Sequence, residues 1–402
     1  MGAVTARGTG VAIAAVARTP IGSYGRSLKD VPATELGALA AREAIARAEI
    51  APEQVDHVVF GNVIHTAPED MYMARVVGMK AGIPQETPAF TVNRLCGTGV
   101  QAIVSATQAI QAGDVDVALA GGAESMSRGP YWMPAARWGA RMGESKLVDP
   151  VLSGLTDPFH GILMGVTAEN LAERMDISRE EQDAFAVESH RRAAAAQAEG
   201  RFDQQIVAVP TPSKRDPAAA FARDEHIRLD ASLESMAKLP PFFKPDGGTV
   251  TAGNASGMND AGAAVVLARE ERARELGMRV RGRILAAASC GVDPRIMGIG
   301  PVPAVRKVLE RSGVALSDIG VIELNEAFAA QAIAVMRELE LDPAKVNPNG
   351  GAIALGHPIA ATGAAITAKL LAEMHRADHE LGLVTLCIGG GQGIALLVER
   401  AS

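Results

Sequence analysis

Apolar positions along this chain fall into two alternating kinds of stretch. Val11 to Val16 and Val115 to Ala120 are short and mostly apolar, the pattern of strands buried on both faces. Val55 to Asn62 reads as a further strand, ending in Phe-Gly-Asn. Between them, Thr34 to Ala48 and Met71 to Ala81 have helical patterns. The apolar run Pro88 to Val92 is followed by Val100, Ile103, Val104, Thr107 and Ile110 at helical spacing. A strand therefore turns into a helix across Asn93 to Gly99. Strands alternating with helices predict an α/β layer on a central sheet.

From about Ser125 to about Gly257 the character changes. Pro, Met, Trp, Arg and Asp are scattered through Arg128 to Pro158, and Pro210 to Arg228 is Pro-rich, charged and loop-like. Within this region Ser178 to Glu181 is a capping box for a long polar helix reaching about Glu199. The α/β pattern then resumes. Gly262 to Ala268, Val280 to Ala288 and Val321 to Leu324 are strand-like, while Pro303 to Ser312 and Ala327 to Leu339 are helix-like. Leu383 to Ile388 and Gly393 to Val398 make a closing strand pair around a glycine turn.

The two α/β blocks follow one plan. Cys96 opens a Gly-rich helix start and the next strand ends at Gly121-Gly122; His357 opens another and the next strand ends at Gly389-Gly390. Asp56 to Asn62 likewise parallels Asp318 to Asn325. The expected organisation is an N-terminal half over 1–124, an insertion over 125–257 and a C-terminal half over 258–402. Facing halves bring both loop sets to one pocket at a pseudo-two-fold axis.

Charge and cysteine usage narrow the class. A net charge of -7 argues against a nucleic-acid-binding protein. Cys96, Cys290 and Cys387 have no paired spacing, which suggests a reducing compartment. No apolar run has transmembrane length, and Met1 to Arg7 lacks a signal-peptide pattern. The expectation is a cytoplasmic protein with no membrane partner. The histidines show no metal spacing, and no GxGxxG follows a strand, so neither a metal nor a dinucleotide is implied.

Candidate chemistry sits in four loops. Cys96 at a helix start meets unpaired N–H groups and a partial positive charge, which favour the thiolate. Gly97 and Gly99 leave room for close substrate approach. A lone cysteine is more often a buried structural residue, so the case rests on the other loops. These are Asn325 to Phe328 after a strand, Asn349 to Pro358 around His357, and Cys387 to Gly393. Taken alone, His357 could be a structural histidine, Cys387 a core residue and Asn325 a helix cap.

Together with Gly121 to Met126, Met164 to Asn170, Gly248 to Ser256 and Gly298 to Pro303, these loops resemble the thiolase family, from Arg18-Thr-Pro to the C-terminus. The resemblance is closest to short-chain bacterial β-ketothiolases. It implies the thiolase fold: two βαβαβαββ halves with mixed sheets, packed as α/β/α/β/α layers, plus an inserted loop domain covering CoA. It also implies a reversible Claisen condensation of acyl-CoAs by a ping-pong route through an acyl-cysteine. In that reading Cys96 is the acyl carrier and His357 takes its proton. Asn325 holds a water in the enolate oxyanion hole, and Cys387 is the α-proton base. The N–H groups of Cys96 and Gly389 form a second oxyanion hole. By the same resemblance Arg228 contacts the nucleotide end of CoA and Ser256 the pantetheine, while Met164, Phe243 and Phe328 line the tunnel. No cofactor is held permanently; coenzyme A and acyl-CoAs are substrates, and a homotetramer is implied. Arg191, Arg192, Lys214, Arg215 and Arg223 could add positive field for phosphates or form a solvated face.

The chain departs from the family at three places. Leu163 stands where a pantetheine-contacting His is common, with His160 nearby as a partial replacement. Ala360 stands at a usual Gly, where a Cβ strains the loop if φ is positive. Leu229 follows Arg228 in place of His. Two other readings compete with this one. A decarboxylating ketoacyl synthase needs a Cys with two histidines, whereas this chain offers Asn325 and Cys387. A non-catalytic acyl-CoA-binding protein draws support only from Leu163 and Ala360.

Overall fold

The computed structural model describes residues 8–212 and 216–401. In chain order the N-terminal block has β1 (Val11–Arg18), α1 (Ala33–Arg47), β2 (His57–Gly61), α2 (Met73–Lys80), β3 (Ala89–Val92), α3 (Thr98–Ala112), β4 (Val117–Ser125) and, after a long insertion, β5 (Asn259–Arg269). The insertion contains α4 (Met164–Arg174) and α5 (Arg179–Ala198). The C-terminal block has β6 (Gly282–Gly291), α6 (Pro301–Ser312), β7 (Val321–Leu324), α7 (Ala329–Glu338), α8 (Ile359–Arg376), β8 (Leu381–Ile388) and β9 (Gln392–Arg400).

The blocks repeat one another. β2 pairs in parallel with β3 and β4, while β5 runs antiparallel to β4 and β1. In the second block β7 is parallel to β8, and β9 is antiparallel to β8 and β6. The counterpart of β3 is reduced to a single parallel bridge between Ile322 and Val346. The sheets are continuous at one corner, where Val11–Ile13 of β1 pair with Gly282–Ile284 of β6.

Layering explains the apolar runs. Val265 and Leu267 of β5 face a central core with Val100 and Ile103 of α3 and Ala361 and Leu370 of α8; Leu386, Ile394 and Leu396 close that core from the other sheet. Val266 of β5 faces Ala41 and Ile45 of α1 on the outer side. Leu383 and Leu397 face Val305 and Val308 of α6 on the opposite outer side. The order is helices, sheet, α3 with α8, sheet, helices. Strands covered on both faces lose the polar alternation of a half-solvated strand.

Two differences from the sequence reading have a common cause. β4 does not stop at Gly121-Gly122 but runs on to Ser125. A Cβ on Gly121 would sit 2.2 Å from the Ala263 carbonyl, and one on Gly122 would sit 2.1 Å from the Ala360 carbonyl. These glycines therefore admit a neighbouring strand and the start of α8, and are not turn residues. Likewise Gly99 and Gly363 let α3 and α8 cross: a Cβ on Gly99 would lie 2.5 Å from the Ala364 nitrogen, and one on Gly363 would lie 2.4 Å from that of Val100.

The insertion is fastened to the first block by a buried ion pair. Arg18 at the end of β1 donates to both carboxylate oxygens of Asp224, at 2.8 and 2.9 Å, and to Gln205. Ser178 caps α5 by accepting from the Glu181 N–H at 3.1 Å, but the expected capping box is half made, because the Glu181 carboxylate pairs with Arg337.

Candidate active site

Cys96 lies on a single 3-10 turn, Leu95–Gly97, between β3 and α3. The preceding residue, Leu95, has φ +46°, an uncommon conformation for a residue with a branched side chain. Two side chains hold it there: Asn93 Oδ1 accepts from the Leu95 N–H at 2.9 Å, and Thr98 Oγ1 accepts from the Arg94 N–H at 2.8 Å. The strain turns Cys96 onto the wall of a cavity of about 290 Å³. Gly97 and Gly99 do not face that cavity. A Cβ on Gly97 would meet Ile388 Cδ1 at 2.5 Å, so both glycines serve packing, and the expected substrate approach over them is corrected.

His357 lies between a four-residue helix, Ala352–Leu355, and α8. Asn259, at the start of β5, accepts its N–H at 2.9 Å. Gly356 has φ +102°, and a Cβ there would sit 2.4 Å from the Asn259 side chain. A residue of the first block thus places the histidine of the second. The ring is buried, and its Nδ1 lies 2.7 Å from the Thr362 hydroxyl. That hydroxyl donates to the Pro358 carbonyl at 2.9 Å. Its one hydrogen is committed, so it can only accept from the ring. The proton is therefore on Nδ1, and Nε2 carries a bare lone pair. Among the described residues Nε2 has no hydrogen-bond partner, and His357 lines the cavity with Cys96.

Electrostatics overturn one expectation. Burial pushes the Cys96 thiol up to about 11, against the pull of the Gly389 and Cys96 N–H groups, and the charge of Glu124 adds to the rise. The helix-start environment does not offset desolvation, so the resting group is the thiol. Burial also lowers His357 to about 4, leaving a neutral imidazole. Cys387 is fully buried, and burial followed by proximity to Cys96 raises its thiol well above the usual range.

The cavity wall also carries Gly389, Met164, Phe243, Phe328 and Ser256. Ser256 and Phe328 meet because two loops pair: the Ser256 N–H donates to the Ala327 carbonyl, and the Ala329 N–H to that of Asn254. Neither Cys387 nor Asn325 lines this cavity; Cys387 is packed among Met164, Ala327 and Phe328. Asn325 is buried with neither side-chain atom partnered among the described residues. It lines a smaller cavity with Glu323, Thr362 and Lys369. It does not cap α7, whose N-cap is Phe328.

Arg228 is exposed and off the cavity wall. Its N–H donates to Nδ1 of His190 at 3.1 Å. Neighbouring His226 packs on Gly257, which is on the wall: a Cβ there would meet the His226 ring at 2.5 Å. Arg191 and Arg192 both pair with Glu188, and Arg192 also donates to backbone carbonyls near Val346. They form a braced face, whereas Arg223 is exposed. Lys214 and Arg215 lie outside the described residues.

The departures resolve locally. Ala360 is in the first turn of α8, and its φ is not positive, so its Cβ brings no backbone strain. Its N–H donates to Glu124 Oε2 at 3.0 Å. Leu163 lines the cavity. His160 does not replace the missing histidine; its Nδ1 is bound 2.9 Å from Asp157. Thr362, Asn259, Glu124 and Leu95 were not singled out from the sequence. The signal was available only for Thr362, five residues after His357 on a helix start.

Comparison with known proteins finds relatives along nearly the whole chain. The model described as "Thiolase, N-terminal domain" covers residues 11–271, and "Thiolase, C-terminal domain" covers 278–400. The chain is 58% identical over 390 residues to the beta-ketothiolase BktB of Cupriavidus necator, spanning 97% of this chain and 99% of that one. Among solved structures it is similar to the Bacillus anthracis acetyl-CoA acetyltransferase, with TM-score 0.95, 46% identity, and 97% and 98% coverage. It is equally similar in shape to human mitochondrial 3-ketoacyl-CoA thiolase in complex with CoA, with TM-score 0.95, 44% identity and 99% of each chain covered.

Proposed function

The chain belongs to the thiolase family, and from that premise we propose that it joins and cleaves acyl-CoAs, with short acyl groups favoured. The observation that carries this is that one cavity is lined by both Cys96 and a His357 whose Nε2 is bare and whose Nδ1 is tied to Thr362. In synthesis, Cys96 sulfur attacks the thioester carbonyl of one acyl-CoA while Nε2 of His357 takes the thiol proton. CoA leaves as the thiol by taking the Cys387 proton, the acyl group remains on Cys96 sulfur, and Cys387 is left as a thiolate. That thiolate then removes an α-proton from acetyl-CoA, and the resulting carbanion attacks the acyl-Cys96 carbonyl. The Cys96 thiolate departs and takes back the proton held on His357, leaving a 3-oxoacyl-CoA. The reverse sequence is thiolytic cleavage.

Two neutral groups suit this order of events. A thiol at about 11 and an imidazole at about 4 give no resting ion pair. The thiolate forms only as the carbonyl is attacked, where the Gly389 and Cys96 N–H groups lie against the sulfur and can stabilise the adjacent oxyanion. Asn325 would hold a water for the enolate oxygen. Met164, Phe243, Phe328 and Ser256 would carry the acyl and pantetheine portions, and Arg228 the nucleotide end. The region 125–257 would cover bound CoA as an insertion within the first half, whose last strand β5 follows it; the expected boundary at 258 moves to the start of β6, because β5 pairs with β1 and β4. We further propose a cytoplasmic homotetramer; a monomer of about 42 kDa on size exclusion would count against it.

The test is intact-protein mass after mixing with acetyl-CoA and, separately, acetoacetyl-CoA. One added acetyl group is expected on the parent and none on Cys96→Ala. A parent that never acquires mass, with these or longer 3-oxoacyl-CoAs, would sink the acyl-enzyme reading.

A further inference from the structure

Strand β1 pairs with β6 only over Val11–Ile13. Beyond that pairing, beside Ala14–Val16, there is a groove of about 320 Å³. It shares no lining residue with the cavity of Cys96 and His357. Ala368, Leu371 and Ala372 of α8 give it an apolar side, and Arg47, Arg279 and Arg281 stand round it. Glu49 is the acid among its lining residues.

The three guanidiniums are not alike. Arg47 pairs with Glu43 and donates to the carbonyls of Val16, Gln204 and Ile206. Neither Arg279 nor Arg281 has a side-chain hydrogen bond or ion pair among the described residues. Arg281 is half-buried. Burial, then the like charges of Arg279 and Arg47, disfavour its charged form. In a chain of net charge -7, a groove with two unpaired guanidiniums against one carboxylate is a local exception that attracts anions.

We propose that this groove binds a small phosphoryl-bearing anion through Arg279 and Arg281. Guanidinium forks match phosphate oxygens in geometry, and an anion between them removes their mutual repulsion. Two sources share that chemistry: inorganic phosphate, and a nucleotide whose base rests on the apolar side.

Calorimetric titration with inorganic phosphate and with ADP tests this, at ionic strength held constant with chloride. Saturable phosphate binding is expected, weakened by roughly tenfold or more in Arg279→Ala/Arg281→Ala, because each lost charge-assisted bond is worth about a decade of affinity. Glu49→Gln should tighten binding by removing the opposing charge. Arg306→Ala, whose guanidinium lies 3.7 Å from Glu338, should leave it unchanged. Acyl transfer by the double variant should equal the parent's, which excludes misfolding. ADP tighter than phosphate identifies a nucleotide; equal affinity identifies free phosphate. Phosphate binding that survives the double variant, or that chloride abolishes at matched ionic strength, means an adventitious ion only and overturns the proposal. ADP binding that survives the double variant reports the thioester site and counts against the groove.

Discussion

At the scale of single residues, the protonation states of Cys96 and His357 decide how the site starts. With the thiol at about 11 and the imidazole at about 4, alkylation of Cys96 by iodoacetamide should be slow at pH 7. It should climb continuously above pH 9. A plateau beginning near pH 6 would instead reveal a thiolate–imidazolium pair. Thr362 fixes which ring nitrogen is the base. Thr362→Val removes the Nδ1 acceptor and leaves a buried donor unpaired, which costs about 1–3 kcal/mol, or roughly five- to 150-fold. That loss should fall on kcat with KM nearly unchanged. Thr362→Ser keeps the hydroxyl and should restore most of the rate; equal losses in both variants would show that only packing matters there.

At the scale of elements, the site depends on two helix starts held in contact. α3 and α8 cross where Gly99 and Gly363 face one another. Gly99→Ala sets a methyl 2.5 Å from the Ala364 backbone nitrogen, where no side chain can swing away. Overpacking of this kind destabilises by about 1–3 kcal/mol. Urea unfolding should show that loss, and activity should fall with it, because Cys96 and His357 precede the two helices. An unperturbed midpoint would show that the crossing is looser than described. Leu95 is the other point of tension. Its positive φ is held by Asn93 and Thr98, both within three residues of Cys96. This local pattern was visible in Asn93 to Gly99 as a turn, but the strained residue itself was not.

At the scale of the whole molecule, two buried histidines and a half-buried one set the acid limit. Burial lowers His190, His226 and His357 to about 4 each. The charge of Arg228 adds to the effect at the first two. Between pH 4 and 6.5 the unfolded chain binds protons that the folded chain refuses, so stability rises with pH there and falls on acidification. Glu124 and Glu323, pushed up by burial to about 8 and about 7, act oppositely. They hold protons in the fold that the unfolded chain releases above about pH 4.5, so their contribution declines as pH rises. Thermal midpoints should therefore peak near pH 6.5. His190→Asn keeps an acceptor for the Arg228 N–H but cannot titrate, so it should make the acid limb shallower; an unchanged slope would refute the assignment.

The sequence alone determined the element order, the duplicated plan and the identity of the four loops. These are written in local terms: buried strands as apolar runs, helices as 3.6-residue periodicity, and loops as glycine clusters around Cys96, His357 and Cys387 or, for Asn325, as a polar pair closing an apolar strand. It misjudged Gly97, Gly99, Gly121 and Gly122, because a glycine's local meaning is a turn, whereas its use here is the approach of a distant chain segment. It also placed the Cys96 thiolate too low, since helix position is local and desolvation is not. Only the tertiary structure decided the partners. Asn259 and Glu124 from the first block hold the His357 loop of the second. Thr362 sets the imidazole proton, and burial sets the resting charges. Each depends on atoms brought together from separate stretches of chain, and no periodicity along one stretch records where the others will lie.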